Sequence, residues 1–129
     1  MPLVRIDVLE GRSDEELQRL LDTVQEVMES DFEAPPRDRY QVLTEHPPGR
    51  LVLQDSGLGI DRSDKVVLVQ VFQQGRSEAQ KKALYASLAR RLHEEVGLRP
   101  EDLVVSVSEN TIADWSFGFG VAQFLEADL

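Results

Sequence analysis

GRSDEE at residues 11–16 returns as GRSEAQ at residues 75–80, and each copy follows a run of strand-forming residues. Laying residues 11–46 over residues 75–110 without a gap aligns a helix start, a helix face, a loop exit and a strand end. The identical pairs are Gly11/Gly75, Arg12/Arg76, Ser13/Ser77, Leu20/Leu84, Pro36/Pro100, Asp38/Asp102 and Glu45/Glu109. A repeated unit of this size predicts a fold that is built from the same unit twice.

The first unit, residues 2–46, has the pattern of a strand, a helix and a second strand. Residues 3–9 alternate apolar and polar side chains, as a half-buried strand does. Ser13, followed by Glu16, forms a capping box, so a helix that carries a stripe of leucines and valines is predicted to begin there. A double proline ends the helical region, and residues 39–44 (RYQVLT) predict the second strand.

The second unit, residues 64–110, repeats this order. Residues 66–72 (VVLVQVF) are almost continuously apolar, which is typical of a central strand that is covered on both faces. A second capping box opens at Ser77, and the helix that it begins is predicted to end at Gly97. Residues 103–108 alternate again and predict the closing strand.

The fold class predicted from these patterns is α/β (α+β), with two β-α-β units forming a four-stranded sheet that has both helices on one face. The strands of each unit should be parallel and the crossover right-handed. Residues 1–129 are expected to form one domain, in which a loop over residues 47–63, with a short strand at Leu51–Leu53, connects the units. In the C-terminal aromatic tail, residues 111–129, the glycine-rich stretch at residues 115–124 is predicted to form a short hairpin. One sheet face would remain uncovered by a single chain, which favours association of subunits.

Composition excludes several classes of function. The chain has 14 basic and 24 acidic residues, a net charge of −10, so we expect no nucleic-acid partner. No apolar run approaches the ~20 residues of a membrane span, and no signal peptide is visible, so we expect no membrane partner and a cytoplasmic location. The chain has no cysteine, and His46 and His93 are too few and too far apart for a metal site.

Five segments of the chain resemble the tautomerase superfamily, and the resemblance covers the whole chain. The segments are Pro2 directly after Met1, PRDRY at residues 36–40, LQDSGLG at residues 53–59, GRSE at residues 75–78 and ADWSFG at residues 113–118. The last segment is similar above all to the malonate semialdehyde decarboxylase family. The resemblance implies a trimeric barrel that is a homotrimer, with no cofactor and with a small anionic substrate.

The resemblance also implies a reaction and the residues that perform it. The reaction would be decarboxylation of malonate semialdehyde to acetaldehyde and carbon dioxide. The catalytic residues would be Pro2, freed as an amino-terminal amine by removal of Met1, together with Asp38 and Arg76. A terminal secondary amine titrates below lysine, so it can act as a base, an acid or an iminium-forming nucleophile.

Five further residues are assigned to substrate binding by the same resemblance. They are Gln74, Tyr40, Trp115, Phe117 and Phe124. The aromatic members would form a dry wall around a small site. From the residues alone, Trp115, Phe117 and Phe124 could also be core or interface residues, and Tyr40 could be a core residue. Gln74 departs from the family, which has an arginine at this position, so the resemblance implies weaker activity towards reactions that need two guanidinium groups, above all hydration of acetylenic acids.

The residues by themselves allow other interpretations. Arg76 has the same spacing as Arg12 and could be an exposed residue before a helix cap, and Asp38 could cap a turn. The function could instead be that of a tautomerase or hydratase that acts on 2-oxo or unsaturated carboxylic acids. A non-catalytic trimeric binding protein is the third alternative, which retention of Met1 would favour.

Overall fold

The computed structural model describes residues 2–126, which form helices and strands in the predicted order. The elements are β1 (Leu3–Leu9), α1 (Asp14–Asp31), β2 (Tyr40–His46), β3 (Val67–Gln74), α2 (Glu78–Val96) and β4 (Leu103–Asn110), with short 3-10 helices at Pro100–Asp102 and Ile112–Asp114. Met1, whose removal the predicted chemistry requires, lies outside the described residues, as does the end of the tail at residues 127–129.

Both helices begin at the capping boxes that the repeated sequence predicts. In α1, Ser13 Oγ accepts a hydrogen bond from the Glu16 N–H at 3.2 Å, and Glu16 Oε1 accepts one from the Ser13 N–H at 3.1 Å. Ser77 and Gln80 repeat this arrangement in α2 at 3.1 and 2.9 Å. These bonds satisfy N–H groups that have no partner inside the helix. As predicted, α2 ends before Gly97, whose φ of 70° lies in the left-handed region.

The four strands form one mixed sheet in the order β2-β1-β3-β4. β1 and β2 are parallel, β3 and β4 are parallel, and β1 pairs with β3 in the antiparallel sense. Each parallel pair consists of the two strands of one repeat, which the helix of that repeat connects. The predicted fold class of two β-α-β units in a four-stranded sheet is therefore confirmed.

Both helices cover the same face of the sheet. Alternate side chains of β1 and β3 are buried against them, because successive residues of a strand point to opposite faces. The buried apolar core is Val4, Ile6, Val8, Leu17, Leu20, Val24, Val27, Met28, Phe32, Ala34, Val67, Val69, Val71, Leu84, Leu88, Leu92 and Leu98. Neither of the described helices is long and apolar enough to cross a membrane.

The opposite face of the sheet, which we call the open face, has little cover within residues 2–126. Tyr40 and Val42 of β2 are each 39% exposed, and Leu3, Leu68 and Phe72 are half-buried. β3 is a central strand, as predicted, but the described chain covers only one of its faces. A half-exposed apolar sheet face of this kind is typical of a surface that another subunit covers.

The predicted strand at Leu51–Leu53 was wrong. Its side chains alternate, because Val52 is 69% exposed whereas its two neighbours are half-buried, but this segment pairs with no described strand. Side-chain contacts hold the loop instead, since the Arg62 guanidinium donates hydrogen bonds to the carbonyls of Gln54 at 2.8 Å and Glu101 at 2.6 Å. Alternation alone therefore did not produce a strand.

The predicted hairpin in the tail was also wrong. Over residues 115–126 the described chain makes turns rather than paired strands. The Gln123 side chain explains this, because its Oε1 accepts a hydrogen bond from the Phe117 N–H at 2.9 Å and its Nε2 donates one to the Gly118 carbonyl at 2.8 Å. One amide side chain thus takes up backbone groups that a hairpin would use between its strands.

Replacement of Asp102 by Ala should lower the free energy of unfolding. The buried Asp102 carboxylate accepts hydrogen bonds from the Ser63 N–H and from Ser63 Oγ, each at 2.7 Å, and so holds the connecting loop at the start of β4. Loss of these charge-assisted bonds should cost about 1.5–3 kcal/mol in urea denaturation. Its repeat mate Asp38 is only half-buried, so Asp38→Ala should cost clearly less. Equal losses of unfolding free energy in Asp102→Ala and Asp38→Ala would contradict the stabilising role of the buried Asp102 carboxylate.

Candidate active site

The predicted site residues lie at one end of the sheet. β1 and β2 are parallel and β3 is antiparallel to β1, so the starts of β1 and β2 lie beside the end of β3. Pro2 directly precedes β1, Asp38 comes just before β2, Gln74 ends β3 and Arg76 follows it. We call this the proline end of the sheet. Residues that are far apart in sequence share it because of the strand directions.

Pro2 is buried at the proline end. The residue after it, Leu3, pairs with Tyr40 of β2 on one side and with Phe72 of β3 on the other. The start of β1 is thus held between two strands, which fixes the position of the Pro2 ring. Its nitrogen would be a secondary amine once Met1 is removed.

The guanidinium of Arg76 is held in a defined orientation. Its Nη2 donates a hydrogen bond to the Phe32 carbonyl at 2.7 Å, and its Nη1 donates to the carbonyls of Gln74 and Gly75, each at 3.2 Å. The guanidinium carbon also lies 5.6 Å from the centroid of the Phe32 ring, a cation–π distance. Arg76 therefore connects the end of β3 with the end of α1.

The structure separates Arg76 from its repeat mate Arg12. Arg12 follows β1 and lies at the end of the sheet opposite to Pro2, where its Nη2 donates a hydrogen bond to the Lys65 carbonyl at 2.7 Å. Burial lowers the pKa of the Arg12 guanidinium from its ordinary value. Spacing could not distinguish the two arginines, but only Arg76 shares an end of the sheet with Pro2.

Glu109 supports the segment that carries Arg76. Its carboxylate accepts a hydrogen bond from Lys81 Nζ at 2.8 Å and lies close to Gly75, the residue before Arg76. The bond from Lys81 holds the pKa of the Glu109 carboxyl below its ordinary value. The end of β4 and the first turn of α2 are thereby joined beside Arg76.

Asp38 closes a turn with its backbone. Its N–H donates a hydrogen bond to the Pro35 carbonyl at 3.0 Å, and the residue is half-buried just before β2. The turn interpretation of this segment is therefore correct for the main chain. A catalytic role for the Asp38 carboxylate stays a prediction.

The four predicted aromatic residues form one cluster. Trp115 and Phe117 stack with ring centroids 5.0 Å apart and planes 7° apart. Tyr40 lies 6.2 Å from Trp115 and 5.9 Å from Phe117, and Phe124 meets Phe117 edge-on at 5.6 Å. These distances are those of favourable aromatic pairs. The cluster joins the tail to the start of β2, next to Pro2.

A shallow cavity of about 310 Å³ opens at the proline end. Its lining residues are Leu3, Phe72, Asn110, Asp114, Trp115 and Ser116. Most of its surface is apolar. Two other depressions lie along the helices and are bordered by several carboxylates, including Glu15 and Glu95, and by Arg19.

Sequence analysis did not identify Asn110 or Phe32. Asn110 ends β4 and fixes the tail, because its Oδ1 accepts a hydrogen bond from Trp115 Nε1 at 3.1 Å. A signal for it was present, since an amide residue follows the alternating strand and stands three residues before the start of the ADWSFG segment. Phe32 acts on Arg76 largely through its main-chain carbonyl, and no side-chain pattern can reveal such a contact.

Gln74, the departure from the family pattern, is the last residue of β3. Its carbonyl accepts a hydrogen bond from Arg76, and its side-chain Nε2 is buried without a hydrogen-bond partner within residues 2–126. Over the same residues, no group of three acidic, histidine or cysteine side chains is placed to hold a metal ion.

Comparisons with known proteins agree with the repeated fold. Two family models, each described as "Tautomerase enzyme", match residues 38–118 and 2–61. "Probable tautomerase YrdN" of Bacillus subtilis (strain 168) is 44% identical over 129 residues, which cover 100% of both chains. "Probable tautomerase YusQ" of the same organism is 36% identical over 127 residues, which cover 98% of this chain and 100% of the relative.

Solved structures give the same result. A crystal structure of malonate semialdehyde decarboxylase, which addresses that enzyme's decarboxylase and hydratase activities, is similar with a TM-score of 0.93 at 44% identity and covers 98% of each chain. FG41 malonate semialdehyde decarboxylase inhibited by 3-bromopropiolate has a TM-score of 0.92 at 38% identity, over 98% of this chain and 97% of that one. A symmetric trimer of fused 4-OT has the same fold, with a TM-score of 0.75 at 18% identity over 92% and 94% of the chains.

Proposed function

The chain belongs to the tautomerase superfamily, and on that basis we propose that it decarboxylates malonate semialdehyde to acetaldehyde and carbon dioxide without a cofactor. The observation that carries the proposal is the position of Pro2 and Arg76 at one end of the sheet, beside the aromatic cluster. Full-length similarity at 44% identity to malonate semialdehyde decarboxylase supports the same reaction. The small anionic substrate and the cytoplasmic location expected from the sequence stay predictions.

Pro2 would act on the carbonyl group of the substrate. When the bond between the carboxylate carbon and the central carbon breaks, its electron pair moves towards the aldehyde and forms an enolate. A protonated Pro2 amine could stabilise the enolate oxygen by a hydrogen bond, or the amine could first form an iminium, which accepts electrons more strongly. On the hydrogen-bond route, carbon dioxide leaves and one proton added at the central carbon completes acetaldehyde. On the iminium route, formation of the iminium releases one water, loss of carbon dioxide leaves an enamine that takes a proton at the central carbon, and one water then hydrolyses the iminium to acetaldehyde and the free Pro2 amine.

Arg76 would bind the substrate carboxylate. Its bonds to the Phe32 and Gln74 carbonyls orient the guanidinium before a substrate arrives, which reduces the entropy that binding has to overcome. A carboxylate paired with this group would be oriented as well as charge-neutralised. The breaking bond could then align with the carbonyl π system, as the formation of an enolate requires.

Asp38 would affect the protonation of Pro2, and the aromatic cluster would make the site less polar. A carboxylate near Pro2 favours the cationic form of the amine, so Asp38 would raise the protonated fraction of Pro2. The rings of Tyr40, Trp115 and Phe117 would exclude water and strengthen the electrostatic interactions of the amine and the guanidinium.

A tautomerase or hydratase that acts on 2-oxo or unsaturated acids is the second candidate. It is supported by the names of the two curated relatives, which are both probable tautomerases. In that reaction Pro2 would act as a base on a carbon-bound or enolic proton. Parallel assays with malonate semialdehyde and with the enol of phenylpyruvate separate the two candidates by the substrate that turns over faster.

We also propose a homotrimer. The open face of the sheet needs cover, and three subunits that close their sheets into a barrel would bury it and remove exposed strand edges. The fused 4-OT protein with the same fold, which is described as a trimer, supports this arrangement.

Light scattering should therefore give a mass three times the 14.6 kDa of one chain. Val42 lies on the open face and is 39% exposed, so Val42→Lys should weaken the trimer by placing charge in the interface. Lys82→Glu on α2, an exposed position on the other side of the sheet, is the matched control and should leave the mass unchanged. A stable wild-type monomer would refute the trimer.

Replacement of Pro2 by Ala should lower decarboxylase turnover by roughly 10²–10⁴-fold, the usual contribution of one positioned acid–base group. Production of acetaldehyde, followed by proton NMR, measures the loss. Intact mass of the wild type should show that Met1 has been removed, since the amine exists only then. Turnover near that of the wild type in the variant, or a retained Met1 in an active protein, would exclude proline catalysis.

Replacement of Arg76 by Ala should reduce turnover by about one to two decades, because a lost charge-assisted pair is worth roughly 1.5–3 kcal/mol. Arg12→Ala is the matched control, since Arg12 has the same place in the repeat but lies at the opposite end of the sheet. Each variant also loses a hydrogen bond to a carbonyl, that of Phe32 or that of Lys65. Thermal denaturation of both variants measures the stability lost with these bonds, so that turnover is compared between folded proteins. Equal kinetic losses in the two folded variants would show that Arg76 has no special role.

A further inference from the structure

A histidine–aspartate pair lies on the open face of the sheet. His46 Nε2 and Asp7 Oδ1 are 2.7 Å apart, and the two side chains are 26% and 15% exposed. His46 is the last residue of β2, and Asp7 stands two residues before the end of β1. The pair therefore lies towards the end of the sheet opposite to Pro2, away from the candidate active site.

Arg5 is the third charged side chain on the open face. It stands two residues before Asp7 on β1, and alternate residues of a strand share a face. The neighbouring strands place uncharged side chains beside them, since Asp7 pairs with Thr44 of β2 and Leu68 of β3. At the remaining open-face positions of the four strands the register places uncharged residues, of which Tyr40, at the proline end, has a titratable group.

Other charged side chains near the pair are exposed to solvent. The Glu10 N–H donates a hydrogen bond to the His46 carbonyl at 2.9 Å, but the Glu10 side chain is exposed. Glu45, on the opposite face of β2, is exposed, and so are Arg50 after β2 and Lys65 before β3. Water and salt screen these groups more than they screen the half-buried pair.

The net charge of the open face depends on one proton of His46. When the imidazole is neutral, its Nε2–H can donate to the Asp7 carboxylate, and the charges of Arg5 and Asp7 cancel. A histidine gains its second proton between about pH 8 and pH 5, and the face then carries one net positive charge. In a closed trimer three such faces would meet, and burial of uncompensated like charges is unfavourable.

We propose that protonation of His46 weakens the trimer, so that Arg5, Asp7 and His46 form a pH-sensitive element of the subunit interface. The proposal rests on the proposed trimer, in which other copies of this chain cover the open face. An assembly that keeps His46 neutral binds fewer protons than its separate subunits, so acidification favours dissociation. The bulk charge acts in the opposite direction, because a chain with a net charge of −10 becomes less negative on acidification and repels its copies less.

A urea series followed by light scattering tests the sign of this effect. At a fixed protein concentration, the wild-type trimer should dissociate at a lower urea concentration at about pH 5.5 than at about pH 8. Roughly tenfold more protein should be needed at the lower pH to restore the midpoint seen at the higher pH. The reason is that each subunit has to release up to one proton when it joins the trimer.

Three variants assign the effect to the charges of the open face. His46→Gln keeps an N–H donor for Asp7 but cannot be protonated, so the acid shift of the midpoint should vanish. Arg5→Gln should reverse the shift, because its open face is negative when His46 is neutral and becomes uncharged when His46 is protonated. His93→Gln is the matched control and should keep the wild-type shift, since His93 lies on α2, on the other side of the sheet, where its Nδ1 is 3.1 Å from the Leu98 carbonyl.

Several outcomes would overturn the pH-sensitive element. They are a wild-type trimer that is equally or more stable at the lower pH, an acid shift that persists in His46→Gln or disappears in His93→Gln, and a shift that Arg5→Gln does not reverse. The proposed trimer fails separately. A wild-type monomer at about pH 8 would refute the trimer and the element together, whereas a trimer without the acid shift would refute the element alone.

Discussion

The antiparallel pairing of β1 with β3 is the constraint on which the rest of the structure depends. It joins the two β-α-β units, and its register sets Leu3 opposite Phe72. Pro2 is therefore at the same end of the sheet as the end of β3 and Arg76, whereas the arginine of its own repeat lies at the opposite end. A slip of one residue would turn Val4 and Val71 from the core to the open face, so burial of these side chains maintains the register.

Arg76 strengthens the junction between the two β-α-β units, and its contacts differ from those of the corresponding arginine in the first repeat. Its hydrogen bond to the Phe32 carbonyl connects the helix of the first unit with the strand of the second. Arg12, with the same local sequence, bonds to the Lys65 carbonyl at the other end of the sheet. Two copies of one motif thus acquire different surroundings, because the segments that face each copy differ. The same holds for the buried Asp102 and the half-buried Asp38.

Assembly and the candidate active site involve the same surface. Phe72 and Asn110 line the cavity and stand on the open face, where Tyr40 and Val42 remain partly exposed. A subunit that covered this face would also border the cavity and lower its dielectric constant. The proposed trimer would then strengthen the charge interactions of Arg76.

The sequence by itself determined the elements and their order, because capping boxes, side-chain alternation and glycine C-caps act over a few residues. Both helix starts, at Ser13 and Ser77, and the fold class followed from such signals. The resemblance to the tautomerase superfamily identified Pro2, Asp38 and Arg76 as candidate catalytic residues, and their catalytic roles stay predictions. Only the tertiary structure decided which arginine shares an end with Pro2, why residues 51–53 form no strand, and that Asn110 belongs beside Gln74. Those outcomes depend on pairing between segments far apart in the chain, and local sequence signals do not encode which distant backbone groups will meet.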